Sequence, residues 1–289
     1  MSCPNIYRKI FRKKLTLLST CIIVLFIVVG ALAPVLAPND PTFSDIRQKL
    51  EPSSWQYPLG TDHLGRCILS RLIYAIPYSL GTAFLVMLFT ISMGTLVGTL
   101  AGYRGGATDQ LFMRFCDVFL AFPNLVLILA IVGMLGPGLL NVLIAASLVQ
   151  WVWYARMIRG MVLGVKKQNY ILAAKVSGTP GWTIVWQHIL PSIAPQIVVL
   201  ATLDIGWIIL SISGLSFLGL GIQPPTPEWG TMLNDGRQFL RSSPMLMVYP
   251  GMMILLAVTA FNLLGDALRD ALDPKGDYAW REKLSAAQD

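Results

Sequence analysis

Asp204 is a carboxylate inside an apolar stretch, in Ala201-Thr-Leu-Asp-Ile-Gly206. A charged side chain at the bilayer centre costs roughly 2.5–3.5 kcal/mol on insertion scales, so it must face protein or water. Two roles fit that constraint. It can line a path for a cationic or metal-bearing solute, making transient contact with the passing ion. It can instead form a buried pair, with an Arg of a partner chain or with Thr202, Ser211 or Trp207.

Little else in the chain suggests chemistry of its own. The two histidines, His63 and His188, fall on opposite sides of the expected membrane, and no His/Cys cluster has zinc spacing. A phosphate-cradling loop needs Gly, four residues, then Gly-Lys-Ser/Thr, and Lys166-Lys167 lacks those glycines. No nucleophile–base triad stands out. The expectation is a chain with no catalytic residue, no cofactor and no fixed metal site. The missing His/Cys cage does not argue against a metal solute, because a conduction path must bind weakly enough to release. Met87, Met93, Met113 and the other methionines are scattered, as adaptable packing residues are.

The most informative segment is Tyr170 to Pro191. It reads as a short helix, a break and a second short helix. Ala173 and Ala174 leave one face of the first helix able to approach another surface. Gly178 permits a sharp turn, and Pro180-Gly181 reinforce it. Trp182, Ile184, Val185 and Ile189 give the second helix an apolar stripe. Leu190-Pro191 is expected to stop it before the next span. Such a projecting pair suits docking into a partner's groove. An amphipathic helix lying on the membrane has the same spacing.

The elements that must position these residues follow from composition. Of 289 residues, 55% are hydrophobic and 13% charged, against roughly 25% charged in soluble domains. The net charge of +7 is distributed between apolar stretches rather than on one face, which argues against nucleic acid. A bilayer needs about 20 apolar residues per helix. Six spans are expected, at 15–36, 79–102, 117–136, 138–157, 195–220 and 246–265. A basic segment (1–14) precedes them, an outer loop spans 37–76, the main membrane core is 77–266 with a coupling loop at 165–191, and a tail covers 267–289. The first apolar run is longer than the usual 7–15-residue signal-peptide core and reads as an uncleaved span. Of the 22 Lys and Arg, 16 then fall on one side, which is expected to be cytoplasmic and to hold both termini. Cys3, Cys21, Cys67 and Cys116 imply no disulfide framework, since only Cys67 falls in an outer segment. Gly94, Gly98 and Gly102 recur every four residues, the spacing of close helix packing. Arg156, Arg159, Asp266 and Arg269 fall at inner helix ends, as anchors and ion pairs of an inward gate. The Pro-rich outer stretch 221–245 and the loop 37–76 would form an outer mouth.

Ala173, Ala174, Gly178, Leu190 and Pro191 also fall in the register of the coupling motif of ABC-importer permeases. Leu172 departs from it, standing where that motif carries Glu; His188 resembles the peptide and nickel branch. Further strings resemble that branch in order: Gly60-Thr-Asp-His-Leu-Gly-Arg66, Ala101-Gly-Tyr-Arg-Gly-Gly-Ala-Thr-Asp109, Leu215-Ser-Phe-Leu-Gly-Leu-Gly221, and Asn262 to Pro274. Over about residues 55–275 the chain resembles the second permease of dipeptide, oligopeptide or nickel ABC importers. The resemblance implies an all-α type I importer fold with six transmembrane helices and a cytoplasmic coupling-helix pair. It places ATPase contacts at Ala173, Ala174, Gly178, Ile184, His188, Leu190 and Pro191. It implies a homologous partner permease, two ATP-binding subunits carrying ATP and Mg, an extracytoplasmic solute-binding protein and a bacterial inner membrane. The string around Asp204 is more similar to nickel members, and Ser211 replaces a Glu frequent in peptide members. Nickel, bare or chelated, is therefore the expected cargo, with di- or oligopeptides as the alternative. A secondary transporter would show inverted repeats, and none is found between the halves; a non-transporting scaffold leaves Asp204 and the Tyr170–Pro191 loop unexplained.

Overall fold

The computed structural model describes residues 14–272, all helix and connecting loop with no strand among them. Apolar composition drives this, because a backbone in lipid must satisfy its hydrogen bonds within the segment. Helix α1 is Lys14–Ala31, followed by a single turn at Ala33–Leu36. Helix α2 is Ile68–Arg104, α3 Gly106–Leu120, α4 Asn124–Leu135 and α5 Leu139–Val165. Helix α6 is Asn169–Val176, α7 runs Gly181–Phe217, α8 is Trp229–Gly236 and α9 Met245–Leu272.

Helices α1, α2, α5, α7 and α9 are each long and apolar enough to cross a membrane. The third expected span, 117–136, is not one helix: α3 and α4 meet at 83°. Pro123 causes the break. It has no N–H to donate, and it pushes Phe122 out of the helical region. Connectivity still requires a crossing. The ends of α2 and α5 lie together, where Lys166 Nζ donates to Tyr103 O at 2.5 Å. The α4–α5 turn lies at the other end, where Gly138 N donates to Leu220 O at 3.2 Å. The bent pair must therefore span the distance between those ends.

Two further expectations need correction. Span two begins at Ile68, not 79, and is about 56 Å long at 1.5 Å per residue. Ser70, Arg71 and Pro77 hid its outer part; Arg71 is tolerated there because two carboxylates face it. Leu190-Pro191 does not stop the second short helix. Residues 181–217 form one helix, with a π turn at Val185–Ile189 just before Pro191. Pro191 cannot donate to Gln187 O, and the wider turn accommodates that missing bond.

The glycine spacing does what close packing requires. A Cβ on Gly94 would fall 2.5 Å from Tyr154 Cβ, and one on Gly98 would fall 2.5 Å from Ala155 O. The α2 backbone thus lies directly on α5, burying Val86, Val97, Ile158 and Val162.

Candidate translocation pathway and coupling surface

At the outer end, Gly60, Gly65 and Asp62 fold the loop before α2. Gly65 is at φ +75°, and a Cβ there would overlap Asp45 O. The Asp62 carboxylate accepts from Leu64 N and Arg66 N and pairs with Arg66 Nε at 2.6 Å. Arg66 Nη2 reaches Asp235 on α8 at 3.1 Å, and Arg71 lies 3.6–3.7 Å from both carboxylates. His63 stacks on Phe239, centroids 5.6 Å apart. Beside this network the fully buried Glu228 caps α8, accepting from Gly230 N and Thr231 N at 2.9 Å and from Ser79 Oγ at 3.2 Å. Cys67 is buried at the start of α2 and forms no disulfide among the described residues.

Asp204 is the fifteenth residue of Leu190–Phe217, near mid-helix rather than near the start of its span. Of the partners expected within this chain, Thr202, Ser211 and Trp207, none holds it. Thr202 Oγ1 donates to Val198 O instead. The Tyr154 hydroxyl, 1% exposed on α5, lies 3.0 Å from Asp204 Oδ2. Both line a cavity of about 370 Å³ with Gln150, Asn124, Phe119, Phe122, Trp153 and Trp207 among its walls. Ser211 is half-buried on the same helix but is not part of that wall. Tyr154 carries no sequence signal of this role; its partner is 50 residues away.

At the inner end, Arg159 makes a two-pronged pair with Asp109 on α3, at 2.5 and 2.6 Å. Arg156 pairs with Asp117. These bonds tie α5 to α3. Asp266 and Arg269 are exposed on α9, with no ion pair to another described residue.

The helix pair projects beside them. Gly178, at φ +76°, ends α6 in a Schellman turn: Thr179 N donates to Ala174 O and Gly178 N to Lys175 O. Tyr103 clamps the pair to α2, close against Gly181, with the Lys166 and Lys175 ammonium groups 5.6 and 5.7 Å from its ring centroid. Burial and the neighbouring Lys175 hold Lys166 below the usual lysine pKa. Tyr170 packs edge-on to His188 and meets Ser192 Oγ at 3.2 Å, joining α6 to α7.

The outward face differs from the expected stripe. Ile184, Val185 and Ile189 are buried in the chain's own core, so Ile184 does not present a docking surface. Val176 (90% exposed), Trp182 (71% exposed), Leu172, Tyr170 and Trp186 are the large side chains that stand exposed on the pair. Ala173 and Pro191 are exposed, while Ala174, His188 and Leu190 are half-buried.

A bundle of membrane-length helices with a carboxylate-bearing cavity at mid-helix and a helix pair at one end suits the membrane subunit of a transporter. Residues 94–277 match the family described as binding-protein-dependent transport system inner membrane component, and 5–52 match the N-terminal TM domain of oligopeptide transport permease C. The nickel transport system permease protein NikC of Escherichia coli (strain K12) is 43% identical over 89% of this chain and 93% of that protein. The dipeptide permease DppC of Alkalihalophilus pseudofirmus is 40% identical over 93% and 88%. The glutathione permease GsiD of Pectobacterium atrosepticum is 40% identical over 93% and 90%. An inward-facing MetNI methionine ABC transporter shares the fold, with TM-score 0.58 and 18% identity over 71% of this chain and 98% of that one.

The chain belongs to the binding-protein-dependent transport system inner membrane component family. It is a multi-pass, non-catalytic permease subunit of an ABC importer, a class that works with separate ATPase subunits and a binding protein.

Proposed function

We propose that this chain forms half of a path for nickel or a chelated transition metal, a homologous second permease supplying the other half. The observation that carries this is the Tyr154-held Asp204 lining a cavity near the middle of α7. A carboxylate cannot open onto acyl chains, so the cavity's open side calls for protein or water beyond it. Similarity to the nickel permease supports the cargo, brought by a solute-binding protein. Dipeptides or oligopeptides are the second reading, favoured by the comparable identity of the dipeptide and glutathione permeases.

ATP and Mg²⁺ are held wholly by two motor subunits docked on α6 and the start of α7. Val176, Trp182, Leu172 and Trp186 provide the contact, with an apolar side chain where a charged one is usual. The Gly178 turn, the Ala173–Ala174 face and the Leu190–Pro191 continuation set the geometry of the pair. Motor closure moves the pair, and α7 carries the displacement unbroken from Gly181 to Asp204, roughly 35 Å. The Arg159–Asp109 and Arg156–Asp117 pairs move α3 with α5 and so gate the inner end; exposed Asp266 and Arg269 are free to pair across the subunit interface. Both termini lie in the cytoplasm, in keeping with the basic bias of that side.

The test is uptake of radiolabelled Ni²⁺ against a labelled dipeptide in a strain lacking the transporter and complemented with it. Nickel uptake should be restored, and Asp204→Asn should cut it at least tenfold. Unchanged uptake in that variant removes Asp204 from the path; dipeptide uptake alone replaces the cargo.

A further inference from the structure

One buried side chain on the wall of the Asp204 cavity makes no hydrogen bond. Gln150 is 5% exposed and lines the cavity. Its Oε1 is turned into the protein, out of reach of anything in the cavity. The amide nitrogen is the polar end that the cavity meets. It is not among the sealed, unpaired atoms, and no described residue accepts from it. Buried polar groups are paired in the large majority of cases, so a free donor on a cavity wall calls for an explanation. Tyr154, four residues on along α5, does not provide one, because its hydroxyl lies against Asp204 Oδ2 at 3.0 Å.

The cavity thus offers two unlike groups. Asp204 accepts and carries negative charge. Gln150 Nε2 donates and carries none. No Lys, Arg or His lines the cavity. This pair discriminates between cargoes. Water bound to a divalent cation turns its lone pairs to the metal and its O–H groups outward. Such a shell satisfies Asp204 and has nothing for Nε2, and a buried donor left unmet is costly. An oxygen acceptor beside the positive centre satisfies both.

We propose that Gln150 Nε2 and Asp204 form a donor–acceptor pair for a dipolar cargo, a positive centre with a carboxylate or carbonyl oxygen next to it. This rests on the reading of the cavity as part of the path, and narrows it by setting aside the bare hydrated ion. Two cargoes share that chemistry. One is a peptide, whose ammonium meets Asp204 and whose carbonyl or carboxylate oxygen meets Nε2. The other is a metal ion already held by a carboxylate ligand. Such an ion needs no protein cage, and among the described residues no group of three or more His, Cys, Asp or Glu could form one. A cavity of about 370 Å³ has room for a small organic molecule. A single neutral donor also holds the cargo oxygen more loosely than Lys or Arg would, as a path that must release its cargo requires.

The test uses the whole transporter with its binding protein in proteoliposomes and reads cargo moved per ATP hydrolysed. The probes are dialanine, Ni²⁺ with excess citrate, and Ni²⁺ alone. Gln150→Met removes the donor in nearly the same volume. Gln150→Glu keeps the shape and puts an acceptor where the donor was. Gln150 has no hydrogen bond to lose, and should Gln150→Met fail to assemble, the isosteric Gln150→Glu carries the test. Both variants should lower the ratio at least fivefold for whichever dipolar cargo the wild type carries. A loss for dialanine assigns the cargo oxygen to a peptide; a loss for Ni²⁺ with citrate assigns it to the ligand of the metal. If either variant carries that cargo as well as wild type does, the proposal is overturned. Wild type carrying Ni²⁺ alone as well as either dipolar cargo also overturns it, while the path reading stands. A wild-type complex that moves none of the three probes removes the cargo reading and this proposal together.

Discussion

The outer mouth and the mid-helix cavity differ in how they answer a buried charge. At the mouth, Asp62, Arg66, Arg71 and Asp235 face one another, and Glu228 meets two backbone donors and two hydroxyls. In the cavity, Asp204 meets a neutral hydroxyl, that of Tyr154, and no cation among the described residues. Matched charges make a scaffold that holds the 37–67 loop, α2 and α8 in register. Under the proposed function, the carboxylate without a countercharge is the one that answers a passing cation. The inner helix pair repeats the contrast in apolar terms, with Ile184 and Ile189 packed inward and Val176 and Trp182 bare.

The largest effect should come from breaking the matched end. Arg66→Ala leaves Asp62 and Asp235 facing only the more distant Arg71, and removing one partner of a buried pair costs about 3–5 kcal/mol. A sharply lower melting temperature of the purified complex is expected; an unchanged one would mean the network is slack. Next comes Gly98→Val, which forces a side chain against Ala155 O and the Ile158 Cβ, an overpacking cost of about 1–3 kcal/mol. The same melting measurement should show it, and Gly81→Ala, with open space at its Cβ, should not. Smaller again is Gly178→Val. No atom lies within 4 Å of a Cβ there, so the penalty is backbone strain alone, about 1–2 kcal/mol for an L residue in the left-handed region. Its signature is weakened coupling: stimulated ATP hydrolysis falls while the membrane complex still assembles.

Hydropathy was enough to find the apolar stretches, five of which lie in helices long enough to cross a membrane, and four-residue glycine spacing foretold close helix packing without naming α5 as the partner. Gly178 was readable too, because a turn between two helices needs a residue free of Cβ. What escaped was non-local. Residues 68–78 look too polar for a span until Arg71 is seen beside Asp62 and Asp235, the latter 164 positions away. Pro191 is a stop signal in most sequences, and only the π turn before it lets α7 continue. Pro123 lies inside the expected span 117–136, and hydropathy averages across it and misses an 83° bend. Asp204 announced itself by charge, whereas Tyr154 and Gln150 look like ordinary residues of α5 until the cavity brings them together.

The most direct test concerns the bare apolar face on which the proposed function seats the separate motor. A complex carrying Val176→Glu with Trp182→Glu should be as stable as wild type, since exposed substitutions usually change stability by no more than about 0.5 kcal/mol. The measurement is ATP hydrolysis stimulated by cargo-loaded binding protein in the reconstituted importer. The account predicts at least a tenfold loss of stimulation with the two permease chains still co-purifying. Full stimulation in that double variant would contradict it.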